Sequence, residues 1–321
     1  MKIVNKLTFV ACVSIAALVG TTPAAAQLTR SYVSGFGDDA NPCDRFAPCR
    51  TFTAALATTS PGGTINCLDP AGYGTLAITK AVTIDCHFTE GGVLASATGI
   101  TVNAGASDQV VIRGLDLHGD SATGHGISVT AAAAVFVQDC TITNFASSGS
   151  YGIRVQASGA TSLYVLNSVI SGNGSGTTGG GIGLSANGTS AFLRANLKNV
   201  QILHNATGIS GDANGGAATY LVFLGEDMTI AGNATGAQFT ANLGTGSIYG
   251  TLARSSVSNQ SGSGIVADGA AVNLRALTSA ITFNRGTGVQ IVNGGKVVSY
   301  GDNVLELNSA DGAFTLTVAK K

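Results

Sequence analysis

The chain repeats itself. Residues 201–210 read Q-I-L-H-N-A-T-G-I-S, and twenty-eight residues later residues 229–238 read T-I-A-G-N-A-T-G-A-Q. A fixed period is the strongest constraint a sequence can place on its fold, because each unit must then stack on copies of itself. Glycines recur at Gly99, Gly126, Gly152, Gly181, Gly208, Gly236, Gly264 and Gly288, spaced 27, 26, 29, 27, 28, 28 and 24. Asparagines recur at Asn144, Asn173, Asn205, Asn233, Asn259, Asn284 and Asn308, spaced 29, 32, 28, 26, 25 and 24. Two independent markers give one period of about 27 residues.

Each period holds three short apolar runs. After the glycine comes an alternating strand, as in Ile127 and Val129 or Ile153 and Val155. A second strand follows, as in Val135 to Val137 and Leu163 to Val165. A third precedes the asparagine and carries Ile142, Ile170, Ile202, Ile230, Val257 and Ile281. Three strands per turn predict an all-β, right-handed parallel β-helix, with equivalent side chains stacked at one strand spacing, ~4.8 Å. No single coil can bury its own apolar face, but a stack can. The asparagines are expected at tight turns, because Asn tolerates left-handed backbone and its amide can bond the coils above and below. A leucine-rich repeat of this period would need fixed leucines in L-x-x-L-x-L, which are absent.

The unit G-I-x-V, an apolar strand, D/N-x-x-I and then Asn resembles the right-handed parallel β-helix repeat of the pectin-lyase-like superfamily. It covers about residues 99–308, which predicts about eight regular coils. The D/N column is Asp139, Asn167, Asn199 and Asp227, departing to Arg254 and Thr278. The resemblance implies fold more than activity, because that superfamily mixes lyases, hydrolases, epimerases and proteins with no enzyme activity.

Three segments are expected. Residues 1–26 read as a secretory signal peptide: Lys2 and Lys6, an apolar run, then Ala24-Ala25-Ala26. A membrane anchor is the alternative reading. Residues 27–60 form an N-terminal cap, with a strand near Ser31 to Ser34, a loop closed by two cysteines, and a short helix over Thr51 to Thr58. This segment resembles the cap of many secreted β-helix proteins, which covers the otherwise open end of the stack. Residues 61–321 are the β-helix, closed by a strand near the end, with Lys320 and Lys321 opposing edge-to-edge growth.

Five cysteines remain once Cys12 leaves with the leader. Pairing Cys43 with Cys49 would pin the cap loop. Cys67 and Cys86 hold equivalent-looking places on what read as adjacent coils, so a second disulfide is expected there. Cys140 is left over, beside the inward Ile142, and reads as a buried free thiol; a reactive thiol is the alternative. Disulfides and leader together predict a secreted, periplasmic or cell-surface protein of bacterial type, with no transmembrane segment in the mature chain.

Charge narrows the partners. Only 10% of residues are charged, the formal net charge is −1, and no basic patch argues for nucleic acid. A polysaccharide lyase needs a base and a cation beside the substrate carboxylate, and a hydrolase needs two facing carboxylates. Asp139 and Asp227 share a column but stand about three coils, roughly 14 Å, apart. No catalytic residue is assigned.

The densest polar cluster is Asp116, His118, Asp120 and His125, a candidate binding or metal site whose plain alternative is a solvated turn. Asp38 and Asp39 read as turn formers rather than calcium ligands, and His204 as a turn residue. Arg113, Arg194 and Arg275 each follow a similar apolar pair, so they can share a face and meet an acidic polysaccharide in bidentate fashion. The alternative is scattered solvated charge. Trp is absent and Tyr numbers seven, which lowers the expectation of a strong sugar cleft. Two functions follow. The first is a monomeric, non-catalytic envelope or weak carbohydrate-binding protein without a cofactor. The second is a lyase or hydrolase of acidic polysaccharide, with calcium if a lyase.

Overall fold

The computed structural model describes residues 27–120 and 123–319. The expected leader, residues 1–26, lies outside the described residues, as do Lys320 and Lys321. The described chain is a right-handed parallel β-helix of about ten turns. Each turn passes through three sheets, here called A, B and C in chain order. Sheet A has twelve strands, and sheets B and C have ten each. Every paired strand is parallel to its neighbours. The eight regular coils expected over residues 99–308 are preceded by further turns, because residues 59–95 enter the same ladders although they lack the Gly and Asn markers.

The apolar ladders explain the stacking. In sheet C, Ile100, Ile127, Ile153, Ile182 and Ile209 are in register on successive coils, and all five are fully buried. In sheet B, Leu117, Ile142, Ile170, Ile202 and Ile230 form the matching ladder. Fully burying one such side chain contributes about 1.5–3 kcal/mol, so the ladders carry the fold while the surface stays free to vary.

The turns between sheets B and C contain a ladder of amides. The amide of Asn233 donates its backbone N–H to Gln260 Oε1 at 2.8 Å, and its Oδ1 accepts from Asn205 N at 2.8 Å. The series runs Asn173, Asn205, Asn233, Gln260, Asn284, Asn308 and ends on Asp311. This corrects the expected column twice. Asn144 lies one place early, with Phe145 at the ladder position, and Asn259 is replaced there by Gln260. The backbone reason also moves by one residue. The left-handed residue is the one before each ladder amide: Asn144, Gly172, His204, Gly232, Asn259, Phe283 and Leu307 all have φ between 54° and 70°. At the turn from sheet A to sheet B, Asp139, Asn167, Asn199, Asp227, Arg254 and Thr278 are left-handed as well, with φ of 48° to 53°.

At the N-terminal end, the strand Leu28–Val33 pairs in parallel with Thr59–Cys67 and forms the edge of sheet A. The helix Phe52–Thr58 follows; Thr51 is its N-cap and accepts the Ala54 N–H at 3.2 Å. Its Phe52, Ala55 and Leu56 are buried, with the Phe52 ring 5.1 Å from that of Tyr73. Asp39 accepts the backbone N–H groups of Arg50 and Thr51 at 2.8 and 2.9 Å, fastening the preceding loop to the helix start. Disulfides join Cys43 to Cys49 and Cys67 to Cys86, and Cys140 is a buried free thiol. Among the described residues no helix is long and apolar enough to cross a membrane.

Candidate functional site

Side chains alternate in and out along each strand, so outward residues of successive coils form straight rows on the surface. On sheet A one row runs Arg194, Val222, Tyr249, Asn273, Lys296, and the next runs Asn196, Leu224, Thr251, Arg275. Arg113 lies on the same outer face, on the strand Gln109–Arg113. The three arginines that follow similar apolar pairs therefore do share a face. Arg154 is on sheet C instead.

Most charges on this face are neutralised by neighbours. Arg113 lies 3.8 Å from Asp85 and donates to Gln138 Oε1 at 3.1 and 3.2 Å. Glu226 sits between Lys198 and Arg254, at 3.9 and 3.2 Å, and Arg254 also bonds Asp227 at 2.8 Å. The guanidinium of Arg254, hydrogen-bonded to Asp227, holds that carboxyl below its ordinary range. Asp139 faces His87 at 3.3 Å. Four cations stand apart. Arg30 at the N-terminal edge, and Arg194, Arg275 and Lys296 further along, are exposed, and their side chains make no hydrogen bond or ion pair among the described residues. Arg194 lies over the Phe192 ring at 4.6 Å.

Aromatic rings accompany these cations. Phe136 and Tyr164 stack at 4.6 Å with 7° between planes, and Phe192 and Tyr220 lie 6.3 Å apart. Tyr220 and Tyr249 are each 44% exposed. At the N-terminal end the same sheet opens into a hollow of ≈ 530 Å³, lined by Arg30, Tyr32, Arg45, Asp85, His87 and Phe88. Arg45 leans over the Tyr32 ring at 6.0 Å. The face can offer cation forks to carboxylates and apolar rings to sugar C–H groups.

The arginines stand out in the sequence and the rings do not. Their signal lay in the outward places of strands read only as apolar, V-F-V at 135–137 and L-Y-V at 163–165. The hollow had no sequence signal, since it joins residues from Arg30 to Phe88 that come together only where the loop pinned by Cys43 and Cys49 folds back on the first coils.

The four polar residues singled out by sequence take separate places. Asp116 and His118 lie on the outer face of sheet B, on the strand Leu115–Gly119, and both are exposed. His118 Nδ1 is 3.0 Å from the Thr143 hydroxyl. Asp120 is exposed in the following turn, where its N–H donates to the Ala95 carbonyl. His125 is half-buried beside sheet C, and its Nδ1 accepts the Tyr151 N–H at 3.1 Å. Burial, and then the charge of Arg154, hold its pKa below the usual value. Among the described residues no three of His, Cys, Asp or Glu come together as a metal site.

No protein-family model matches the chain, and no curated protein matches it. Among solved structures it is similar to the pectate lyase Pel9A, at 14% identity and a TM-score of 0.62, over 91% of this chain and 80% of that one. It is also similar to a rhamnogalacturonan lyase, at 11% identity and a TM-score of 0.47, over 84% and 75% of the two chains. The first likeness establishes the fold as the pectin-lyase-like β-helix.

Proposed function

We propose that this pectin-lyase-like β-helix is a secreted, non-catalytic protein that binds an acidic polysaccharide along the outer face of sheet A. The observation that carries the reading is the trio Arg194, Arg275 and Lys296, exposed and unpaired beside Tyr220 and Tyr249. Arg194 and Lys296 stand four strands apart, roughly 19 Å, so an extended anionic chain, and not one small ion, spans the trio. The acids of the same face support the non-catalytic half. Asp85, Glu226 and Asp227 are each paired with an arginine of the chain itself, whereas the two carboxylates of a glycosidase face the scissile bond. Two disulfides and the expected leader support export.

The test is affinity electrophoresis through gels holding acidic or neutral polysaccharides. Acidic gels retard the wild type, neutral gels do not, and the variant Arg194→Ala/Arg275→Ala/Lys296→Ala runs free in both. Raising the salt well beyond physiological strength weakens retardation, because exposed charges are screened beyond ~8 Å at 0.15 M. Equal mobility of wild type and variant in the acidic gels would refute the assignment. Release of unsaturated or reducing sugars, with or without calcium, would refute its non-catalytic half.

A further inference from the structure

The outer face of sheet C carries a second arrangement, unrelated to the rows on sheet A. One outward row there runs Thr101, Ser128, Arg154, Gly183, Ser210 and Gln238. A single cation stands in a row of short hydroxyls, and Gly183 is what makes room for it. A Cβ on Gly183 would lie 2.7 Å from Arg154 Nη1 and 2.8 Å from Tyr151 Cε1. Both side chains therefore lie flat over that glycine, on the next coil.

The pair is held in place from below. The Arg154 guanidinium carbon is 4.9 Å from the centre of the Tyr151 ring. Tyr151 is anchored by its own N–H, which donates to His125 Nδ1 at 3.1 Å. That bond makes Nδ1 an acceptor and puts the imidazole proton on Nε2, so His125 adds no charge beside Arg154. Burial lowers the proton affinity of Arg154, while Tyr151 and Asp212 partly offset this; the group stays cationic. Asp212 is the acid whose field reaches it, yet no ion pair forms between them. Among the described residues the guanidinium makes no hydrogen bond at all. The guanidinium is half-buried, and none of its nitrogens is sealed from solvent without a partner, so its five N–H donors are open to an acceptor from outside.

We propose that Arg154, laid over Tyr151 and Gly183, is a binding site for a single carboxylate group. A planar carboxylate matches the two-pronged guanidinium edge. One cation balances one negative charge, and Asp212 nearby disfavours a dianion such as sulfate or phosphate. The hydroxyls of Ser128 and Ser210 flank the edge in the same row.

The test is an NMR titration of the isotope-labelled chain with sodium acetate, with acetamide as the uncharged isostere and with sodium sulfate, all at one ionic strength. Acetate shifts the Arg154 Nε–H and the Tyr151 amide saturably, acetamide shifts neither, and sulfate binds at least tenfold more weakly than acetate. Arg154→Gln weakens acetate binding at least tenfold. Arg154→Lys, which keeps the charge and loses the fork, weakens it several-fold. Gly183→Ala also weakens binding, by pushing both side chains off the surface while keeping the charge. Three results overturn the site: no saturable shift at Arg154 in the wild type, unchanged affinity in Arg154→Gln, or sulfate binding as tightly as acetate. Should Arg154→Gln fail to fold, the wild-type titration and Arg154→Lys decide the matter.

Discussion

A Cβ on Gly208 would sit 2.4 Å from the carbonyl oxygen of Gly236, one coil further along. The contact repeats down the column, with 2.5 Å from Gly126 to Gly152 and 2.4 Å from Gly236 to Gly264. The glycine marker thus records a close approach of backbone to backbone. Neither atom of such a contact belongs to a flexible side chain, so relief requires the coils to part. Gly208→Ala is expected to destabilise the protein by about 1–3 kcal/mol, the usual range for forced overpacking. Gly159→Ala, where nothing lies within 4 Å, is expected to cost nothing. Urea unfolding with the disulfides intact compares them, and equal midpoints would remove the packing explanation.

The amide ladder makes a second demand. Asn233 Oδ1 accepts from both Asn205 N and Asn205 Nδ2, and its own Nδ2 donates to Ile202 O and Gln260 Oε1. Asn233→Ala orphans several buried groups at once, each worth about 1–3 kcal/mol when left unsatisfied. A loss of about 3 kcal/mol is expected, allowing for partial relaxation. Asn144→Ala, at an exposed corner outside the ladder, is expected to cost about 1–2 kcal/mol, because alanine takes a left-handed position there and one bond to the Gly119 carbonyl is lost. Chemical denaturation of the two variants measures the gap, and comparable losses would show that the ladder does not share load as its bonds imply.

These two columns show why the architecture was legible. Backbone crowding at Gly208 and amide stacking at Asn233 each admit few residue types, so the letters recur. The registration of the second column was not legible at its ends. Counting asparagines picks Asn144 and Asn259, but the ladder accepts any side chain presenting a carbonyl oxygen at the right depth, and Gln260 does so. The functional face was half legible. Arg194 and Arg275 sit in neighbouring rows, two residues apart in register, and strand alternation puts both on one side. The pairing of His87 with Asp139 was invisible, because it depends on where the end of one coil meets the turn of another. The setting of Arg154 was not legible, since nothing in the letters says that Gly183 leaves space beside it.

Cys140 yields a chemical prediction. It is 2% exposed, and its Sγ lies 3.2 Å from the Gln138 carbonyl. Burial pushes its thiol up to about 11. A thiol so placed has almost no thiolate at neutral pH and no path to a reagent. In a chain expressed from Gln27 onward, Ellman's reagent at pH 8 is expected to find no free thiol in the native protein and one after unfolding in guanidinium. Cys140→Ser should fold normally, because Ser168 takes the equivalent place on the next coil and donates to its own strand end. Rapid modification of the native protein would mean that the coil opens there.

The last prediction concerns pH and the packing of the helix end. The Tyr73 hydroxyl donates to the Asp69 carbonyl and lies 3.2 Å from Asp69 Oδ1, while its ring packs on Phe52. Burial first, and the charge of Asp69 second, raise the phenol to about 12. The fold thus favours the neutral phenol. Its contribution is complete below the unfolded value of ~10 and is lost as pH rises from there through about 12. Asp69 behaves in the opposite sense. Burial pushes its carboxyl up, but hydrogen bonds from Ser34, the Gly35 N–H and Tyr73 outweigh this and leave it below the ordinary value. Its contribution is present above ~3.9 and is lost as pH falls through the lowered folded value. Tyr73→Phe should therefore flatten the alkaline limb of stability between pH 10 and 12, and shrink the acid limb only slightly, by the one hydrogen bond it gives Asp69. Asp69→Asn should chiefly flatten the acid limb below pH 4, and shrink the alkaline limb in part because its charge helps raise Tyr73. Melting temperature against pH for the three proteins gives the comparison as differences between curves, in which every other titrating group cancels. If Tyr73→Phe ran parallel to wild type across the alkaline range, the phenol would not be the group that couples this end of the solenoid to pH.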